Sequence, residues 1–264
     1  VERITYELCE DSSLQNIKLL EMRFSPDWAF SGHNLDWDLA LEGITSAQER
    51  AYRDFGIHTG LIAITSRSLG LPSCEKTMDW AIDHRDVIMG IDLADNEADN
   101  PIQHFEKPIR QAQKAGLKVT VHSGEDTPAS SVVETIQAVQ PERIGHGIHI
   151  IEDLKSVDFV VKQGVTLEVN PWSNYLTNSV SRIEEHPLKQ LFDLGVRVTI
   201  NSDDPEVLDT NLNNEYRIAH EILGMKIEEI EQCNAYALQA SFMPDPVKNE
   251  LENLYPQWIT PISG

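Results

Sequence analysis

Short runs of apolar residues alternate along the chain with longer segments whose apolar residues recur at helical spacing. The runs are rich in Val, Ile and Leu, and most are followed by Gly, Pro, Ser, Asn or Asp. This pattern is typical of buried β-strands that end in turns. Seven runs therefore predict strands, at residues 17–24, 59–65, 87–93, 117–122, 143–148, 165–169 and 196–200.

The segments between these strands predict helices. A helix that ends at glycine and leads into a buried strand occurs at Gly116, Gly164 and Gly195, and glycine commonly ends helices. We expect Ser73 to be the N-cap of one helix, and residues 27–42 to form a loop with short helical pieces. The predicted helices cover residues 4–16, 45–55, 73–83, 105–115, 130–139, 151–162 and 187–194, and the chain after residue 205 is expected to be mostly helical.

Apolar strands separated by amphipathic helices favour a parallel sheet covered by helices, which is an α/β fold. No glycine-rich phosphate-binding loop follows a strand, and this disfavours a doubly wound nucleotide-binding fold. A (β/α)8 TIM barrel has eight strands in ~250 residues. We therefore predict a single barrel domain over residues 1–264 that lacks the first strand.

The start of the sequence supports the same expectation. The chain does not begin with Met, and its first predicted element is a helix rather than a strand. We expect the first strand of the barrel to precede Val1 in a longer chain.

The charge of the chain indicates the class of partner, and its cysteine content indicates the compartment. The chain has 43 acidic against 21 basic residues, a formal charge of −22, which disfavours binding to nucleic acid or to anionic membranes. Cys9, Cys74 and Cys233 are scattered, and no apolar run is long enough to span a bilayer. We therefore expect a cytoplasmic protein without disulfides. Its partner is expected to be a small molecule, and its oligomeric state is left open.

Candidate catalytic groups follow several of the predicted strands, and functional groups of barrel enzymes gather at these strand ends. His122 ends the fourth predicted strand and Glu125 follows it. His146 lies between two glycines, and Asp203 and Asp204 follow the last strand. A polar turn, or a helix cap for the two aspartates, is the simpler alternative. Two histidines and two or three carboxylates without cysteine suit Zn²⁺ or a similar divalent ion. Such a site would activate water for hydrolysis.

Other polar residues are interpreted more simply. Glu21 and Arg23 are interpreted as a structural ion pair or clamp, whereas structural and functional roles for Asp92 are equally open because a buried acid needs a partner. The remaining histidines are expected at the surface or in helix caps: His33, His58, His84, His104, His149, His186 and His220.

Four strand-end motifs, VHSGE, RIGHG, EVNPWSN and NSDDP, occur in this order, and EMRFSP and GIDLADNE precede them. In sequence and spacing they resemble the adenosine deaminase family of metal-dependent amidohydrolases, from Val1 to about Phe242. The resemblance implies one Zn²⁺ per chain, with His122 and Asp203 among its ligands. It implies the hydrolytic deamination of adenosine or 2′-deoxyadenosine, a purine nucleoside, to the inosine product and ammonia.

The resemblance also implies roles for the other candidates. His146 resembles the histidine that orients the attacking hydroxide and can take its proton. Glu125 resembles the acid that protonates purine N1, which makes C6 electrophilic. Asp204 resembles the acid that hydrogen-bonds purine N7.

The sequence departs from the family pattern at two functionally important places. The family's His-x-His zinc-ligand pair at the end of the first strand is absent. Without these two ligands the 264-residue chain is expected to be inactive, and an active protein would need them in a segment upstream of Val1. Asp95 stands where glycine is usual, at a position whose backbone N–H reaches purine N3. Two alternatives follow: a deaminase of adenine or of an N6-substituted purine, and a non-catalytic relative that lacks a complete metal site.

Overall fold

The structure is a computed structural model, and it describes residues 1–256. Strands and helices alternate through these residues. The strands are β1 (Leu19–Phe24), β2 (His58–Ser66), β3 (Ile88–Ala94), β4 (Lys118–Ser123), β5 (Arg143–His146), β6 (Thr166–Val169) and β7 (Arg197–Ile200). The helices are α1 (Glu2–Leu14), α2 (Pro26–Ala29), α3 (Trp37–Phe55), α4 (Gly70–Asp83), α5 (Glu106–Lys114), α6 (Ala129–Val139), α7 (Leu154–Gln163), α8 (Pro171–Leu176), α9 (Leu188–Asp193), α10 (Pro205–Leu208), α11 (Leu212–Arg217), α12 (Ile227–Ala240) and α13 (Asp245–Leu254).

All seven predicted strands are present. The helical character expected after residue 205 is also confirmed as far as residue 256, whereas residues 257–264 lie outside the described part of the chain. The expectation of one domain over residues 1–264 stays a prediction.

The helix α3 begins earlier than the sequence predicts, at Trp37 instead of near residue 45. The carboxylate of Asp36 accepts hydrogen bonds from the backbone N–H groups of Asp38 and Leu39, both at 3.0 Å. This N-cap satisfies donors that the first helical turn would otherwise leave unpaired, so the helix extends into the predicted loop.

The prediction that Ser73 is an N-cap is wrong. The helix α4 starts at Gly70, directly after a 3₁₀ turn over Arg67–Leu69, and Ser73 lies inside it. Its hydroxyl instead donates to the carboxylate of Asp27, which is 46 residues away in the chain. A tertiary contact therefore uses the side chain that local sequence reasoning assigned to the cap.

The chain divides into two compact units. The first contains Val1–Asn96, His104–Val119 and Phe242–Val247, and its strands β1, β2 and β3 are parallel and adjacent in chain order. In this unit Arg23 forms an ion pair with the fully buried Asp92, at 2.9 Å between Nη1 and Oδ2. Asp92 therefore has the charged partner that its burial requires, and Arg23 pairs with it across two strands.

The second unit contains Glu97–Gln103, Thr120–Ser241 and the residues from Lys248. The part of β4 in this unit and the strands β5, β6 and β7 are parallel and again adjacent in chain order. Leu167, Val169 and Val198 on these strands are buried, because both faces of a parallel sheet are covered. The register pairs His122 with Gly145 and Ser123 with His146, which brings the ends of β4 and β5 together.

Cys9, Cys74 and Cys233 are buried thiols without disulfides, and burial raises the pKa of Cys9 to about 11, so this thiol stays protonated and unreactive. Among residues 1–256, no helix combines the length and the apolar character needed to cross a membrane.

Candidate active site

Five of the six predicted site residues belong to the second unit, where each lies near the end of a strand or just after it. Asp95 is the sixth; it belongs to the first unit, directly after β3. The five residues in the second unit are His122 and Glu125 at β4, His146 at the end of β5, and Asp203 and Asp204 after β7.

His146 lies at the centre of the group. Its side chain is buried, and its Nε2 lies 3.3 Å from Glu125 Oε2 and 3.9 Å from Asp203 Oδ2. Neither carboxylate is placed well enough to accept a hydrogen bond, so Nε2 is a buried polar atom without a hydrogen-bond partner. The structure therefore brings the two predicted catalytic residues, Glu125 and His146, together with the predicted metal ligand Asp203.

The imidazole of His122 lies beside that of His146, with 5.0 Å between ring centroids. It packs against Gly145, its strand neighbour: a Cβ at Gly145 would lie 3.0 Å from Nδ1 of His122 and 3.1 Å from its Cγ. Any larger residue at this position would have to displace the ring. The glycine before His146 thus lets the imidazole of His122 pack directly against the backbone of β5.

Glu125 lies in a turn that is held by Glu97. One carboxylate oxygen of Glu97 accepts from the N–H of Gly124 at 2.8 Å and from the Thr127 hydroxyl at 2.6 Å. The other accepts from the N–H of Glu125 at 3.2 Å. Because Glu97 is buried, these charge-assisted hydrogen bonds fix the turn with little competition from water.

The two aspartates after β7 differ in their surroundings. Asp203 accepts a hydrogen bond from the Ser173 hydroxyl at 2.7 Å. Burial, followed by the charge of Asp203, raises the pKa of Asp204, although His122 and His146 lower it in part. A raised pKa favours the protonated carboxyl, which can donate a hydrogen bond.

The carboxylate of Asp95 is engaged within its own unit. It accepts from the Ser66 hydroxyl, from the N–H of Ser68 and from the N–H of Asn96. Burial raises the pKa of Asp95, but the hydrogen bonds from Ser66 and Ser68 outweigh it and leave the pKa below its ordinary value. The side chain therefore stays ionised and bonded to the loop that follows β2.

Several residues that hold the site were missed or left without a role by sequence reasoning. His186 was predicted to lie at the surface or in a helix cap. The surface prediction is wrong, since the side chain is only 3% exposed. Burial, together with the nearby His146, lowers the pKa of His186 to about 3, so the ring is neutral. Glu97, Asn170 and Asn174 stand at strand ends in the sequence, but their hydrogen-bond partners are distant in the chain and leave no local signal.

The donor types at this site fit a zinc ion. His122 and Asp203 offer an imidazole nitrogen and a carboxylate oxygen, and no cysteine is present, as in many hydrolytic zinc sites. The unpartnered Nε2 of His146 is a further polar atom of the kind that a non-protein group satisfies. Over residues 1–256, no group of three or more His, Cys, Asp or Glu side chains is arranged to hold a metal.

Residues 1–257 match the family model described as adenosine deaminase. The adenosine deaminase of Vibrio parahaemolyticus is 36% identical over 250 residues, which are 95% of this chain and 75% of that protein. The adenosine deaminase of Escherichia coli is 33% identical over 249 residues, or 94% of this chain and 75% of that protein.

Solved structures give the same result for the fold. The crystal structure of adenine deaminase from Arthrobacter aurescens superposes with a TM-score of 0.91 at 28% identity, over 98% of this chain and 79% of that one. The N6-methyl-AMP deaminase of Arabidopsis thaliana superposes with a TM-score of 0.83 at 25% identity, over 97% of this chain and 77% of that one. The predicted TIM-barrel class, with seven strands in the described residues, is confirmed.

Proposed function

The chain belongs to the adenosine deaminase family and is an aminohydrolase; we propose that it is a zinc-dependent deaminase of adenosine and 2′-deoxyadenosine. The products are inosine or 2′-deoxyinosine and ammonia. The observation that carries the proposal is the convergence of Glu125 and Asp203 on the buried Nε2 of His146. The choice of substrate is supported by two adenosine deaminases that are 36% and 33% identical to this chain.

We assign one Zn²⁺ per chain as the cofactor, with His122 and Asp203 as the ligands that this chain supplies. When bound, zinc lowers the pKa of a water molecule to about 7 and so provides a nucleophile at neutral pH. Ser173 donates to Asp203, and such a hydrogen bond orients a ligating carboxylate.

The other residues act on the purine and on the attacking water. Glu125 donates a proton to N1, which makes C6 electrophilic and lets it accept the water oxygen. His146 orients that water through Nε2. Asp204, in its protonated form, donates to N7. The attacking water gives up two protons over the reaction. One protonates the amino group, whose bond to C6 then breaks so that ammonia leaves, and the other restores the carboxyl of Glu125, while the new bond from C6 to oxygen remains.

The function is tested on zinc-supplemented full-length protein by the loss of absorbance in the adenosine ultraviolet band, with ammonia release as a second readout. Glu125→Gln is expected to lower kcat by about 10²- to 10⁴-fold, because the variant has no proton to donate to N1. Asp126→Asn, an exposed residue of the same turn, is the matched control and should retain the activity of the parent. Absence of turnover in the full-length parent at micromolar protein would refute the proposal.

Zinc binding is tested separately from turnover, by titration of metal-free protein with zinc. His122→Ala is expected to weaken binding at least about tenfold, since even residues that only support a ligand contribute that much. The control is His149→Ala, because His149 pairs with Glu152 outside the group. Equal zinc affinity in His122→Ala and the parent would exclude His122 as a ligand. A parent that binds no zinc and turns over no purine would favour the non-catalytic alternative.

A second candidate substrate is adenine or an N6-substituted purine. It is favoured by Asp95, an acidic residue where the family usually has glycine, and by the match to an adenine deaminase structure. A panel of adenosine, 2′-deoxyadenosine, adenine and N6-methyladenosine separates the two. Inactivity on adenine and on the N6-methyl nucleoside, with activity on adenosine, would eliminate the second candidate.

A further inference from the structure

A chain of buried hydrogen bonds leads from the backbone at Leu188 to His146, and its direction can be determined. The N–H of Leu188 lies 3.2 Å from Nδ1 of His186. A backbone N–H can only donate, so this Nδ1 accepts and carries no proton. In a neutral imidazole the proton is then on the other nitrogen, Nε2.

The next link is Asn174. His186 Nε2 lies 3.1 Å from Oδ1 of Asn174, and the amide nitrogen of Asn174 lies 2.9 Å from Nδ1 of His146. An amide has an acceptor at one end and donors at the other. Because His186 donates to the oxygen end, Asn174 must present its NH₂ group to His146.

Asn170 gives the same result independently. Its Nδ2 lies 3.2 Å from the carbonyl oxygen of Glu168 and 3.2 Å from Nδ1 of His146. A carbonyl oxygen only accepts, so the atom beside it is the amide nitrogen. Two NH₂ groups therefore meet one imidazole nitrogen. His146, Asn170, Asn174 and His186 are all buried, so water does not replace either donor.

We propose that His186, acting through Asn174, and Asn170 are positioning residues that hold His146 in the tautomer with its proton on Nε2. Nδ1 of His146 accepts from both amides, and Nε2 carries the proton on the side that faces Glu125 and Asp203. The catalytic meaning rests on the proposed function. In that reaction His146 orients the attacking water by donating to it, and it does not accept the water's proton, because Nε2 is already protonated.

The tautomer can be observed directly in metal-free protein by long-range ¹H–¹⁵N correlation spectra of ¹⁵N-histidine-labelled chain. The His146 signals are assigned by their absence in His146→Gln. We expect the Nε2–H pattern in the parent. Asn174→Asp replaces the NH₂ group with an acceptor of the same shape, and it is expected to move a proton onto Nδ1 of His146. The same substitution at Asn234, which accepts from the Tyr216 hydroxyl at 2.6 Å, should leave His146 unchanged.

Kinetics give a second readout. Asn174→Asp is expected to lower kcat about 100-fold, the order lost when a group that orients the reacting atoms is misplaced, with a much smaller change in KM. His186→Gln keeps a donor toward Asn174 and should preserve both the tautomer and most of kcat, whereas His186→Leu should lose both. If His186 had a purely structural role, kcat of the two His186 variants would follow their stability, and the tautomer of His146 would be the same in both.

An Nδ1–H pattern for His146 in the parent overturns the proposal, whether or not any variant folds. An unchanged His146 tautomer in folded Asn174→Asp also overturns it. A parent that shows the Nε2–H pattern but deaminates no purine would refute the proposed function and leave the positioning of His146 intact.

Discussion

Three of the predicted site residues, Asp95, His146 and Asp203, have positive φ angles of 79°, 57° and 56°. Side-chain-bearing residues rarely adopt this conformation, and it costs about 1–3 kcal/mol at each position. Each of the three side chains is also hydrogen-bonded: Asp95 to Ser66 and Ser68, His146 to Asn170 and Asn174, and Asp203 to Ser173. These hydrogen bonds hold the strained residues in place, as is common where a conformation serves function rather than stability.

At the same scale, Glu97→Gln tests whether the turn that carries Glu125 must be fixed. The substitution replaces an acceptor oxygen with an NH₂ group that faces backbone N–H donors. We expect a loss of about 1–3 kcal/mol in the free energy of unfolding and a decrease of about 10- to 100-fold in kcat from misplacement of Glu125. Urea denaturation and steady-state kinetics measure the two effects. Asp126→Asn removes a charge from the same turn and should change neither; equal effects in both variants would contradict this role of Glu97.

Gly145→Ala tests the contact between the strand backbone and His122. The added Cβ would lie 3.0 Å from Nδ1 of His122, so the imidazole must shift. We expect zinc affinity to fall by about 10- to 100-fold, the range found when the orientation of a metal ligand is disturbed, as measured by competition with a chromogenic chelator. Gly32→Ala is the control, because its Cβ would meet nothing within 4 Å. Unchanged affinity in Gly145→Ala would show that His122 does not need this glycine.

At the scale of elements, the short helix α8 delivers two side chains to the site. Ser173 reaches Asp203 and Asn174 reaches His146. A helix of six residues is not stable by itself, so its position depends on tertiary hydrogen bonds. The N–H of Trp172 donates to Glu215 at 3.0 Å, and the Trp172 indole donates to the carbonyl of Leu208 at 3.0 Å. Glu215 lies on α11, so α8 is tied to the segment that follows β7.

Glu215 therefore has a testable structural role. Its side chain is fully buried, and it also accepts from Thr210 at 2.7 Å. Burial raises the pKa of Glu215, because it disfavours the charged carboxylate. Glu215→Gln removes the charge and keeps a hydrogen-bond acceptor, so it should disturb the fold little. Glu215→Ala leaves the N–H of Trp172 without a partner, and it should cost about 1–3 kcal/mol of the free energy of unfolding beyond Glu215→Gln. Urea denaturation of both variants measures the difference; equal stability would contradict the tether.

At the scale of the whole molecule, His186 links the site to the acid stability of the fold. Its pKa is lowered from 6.5 to about 3 in the folded protein, because protonation would place a charge in a buried, already hydrogen-bonded position. The unfolded chain therefore takes up this proton first as the pH falls. The stabilising contribution is complete above about pH 6.5 and is lost as the pH falls toward about 3.

His186→Gln removes this titration. Between about pH 7 and about pH 5 the parent should lose about 2 kcal/mol more of its free energy of unfolding than the variant. Urea denaturation of both proteins at the two pH values gives the comparison, and titrating groups that they share cancel. Parallel pH dependence of the two proteins would show that His186 is not held neutral by the fold.

Much of the fold was predictable from local pattern. All seven strands follow from runs of apolar residues, because burial on both faces leaves a signal within a few residues. The start of α3 and the role of Ser73 were not predictable, because a capping aspartate and a distant partner, Asp27, decided them. The site shows the same division. The strand-end motifs predict roles for His122, Glu125, His146, Asp203 and Asp204, and these roles stay predictions. His186 was predicted at the surface, but it is buried.

The order of strands and helices, the family and the chemical types at the strand ends all follow from the sequence, since each is encoded in neighbouring residues. Which groups hold the strand-end residues in place depends on the fold. Asp92 pairs with Arg23 from 69 residues away, and Asn174 reaches His146 from 28 residues away. The proton position on His146 follows from Leu188, Asn174 and Asn170 together. A hydrogen bond forms only where the fold brings a donor next to an acceptor. In this site the fold does so when the ends of the strands meet.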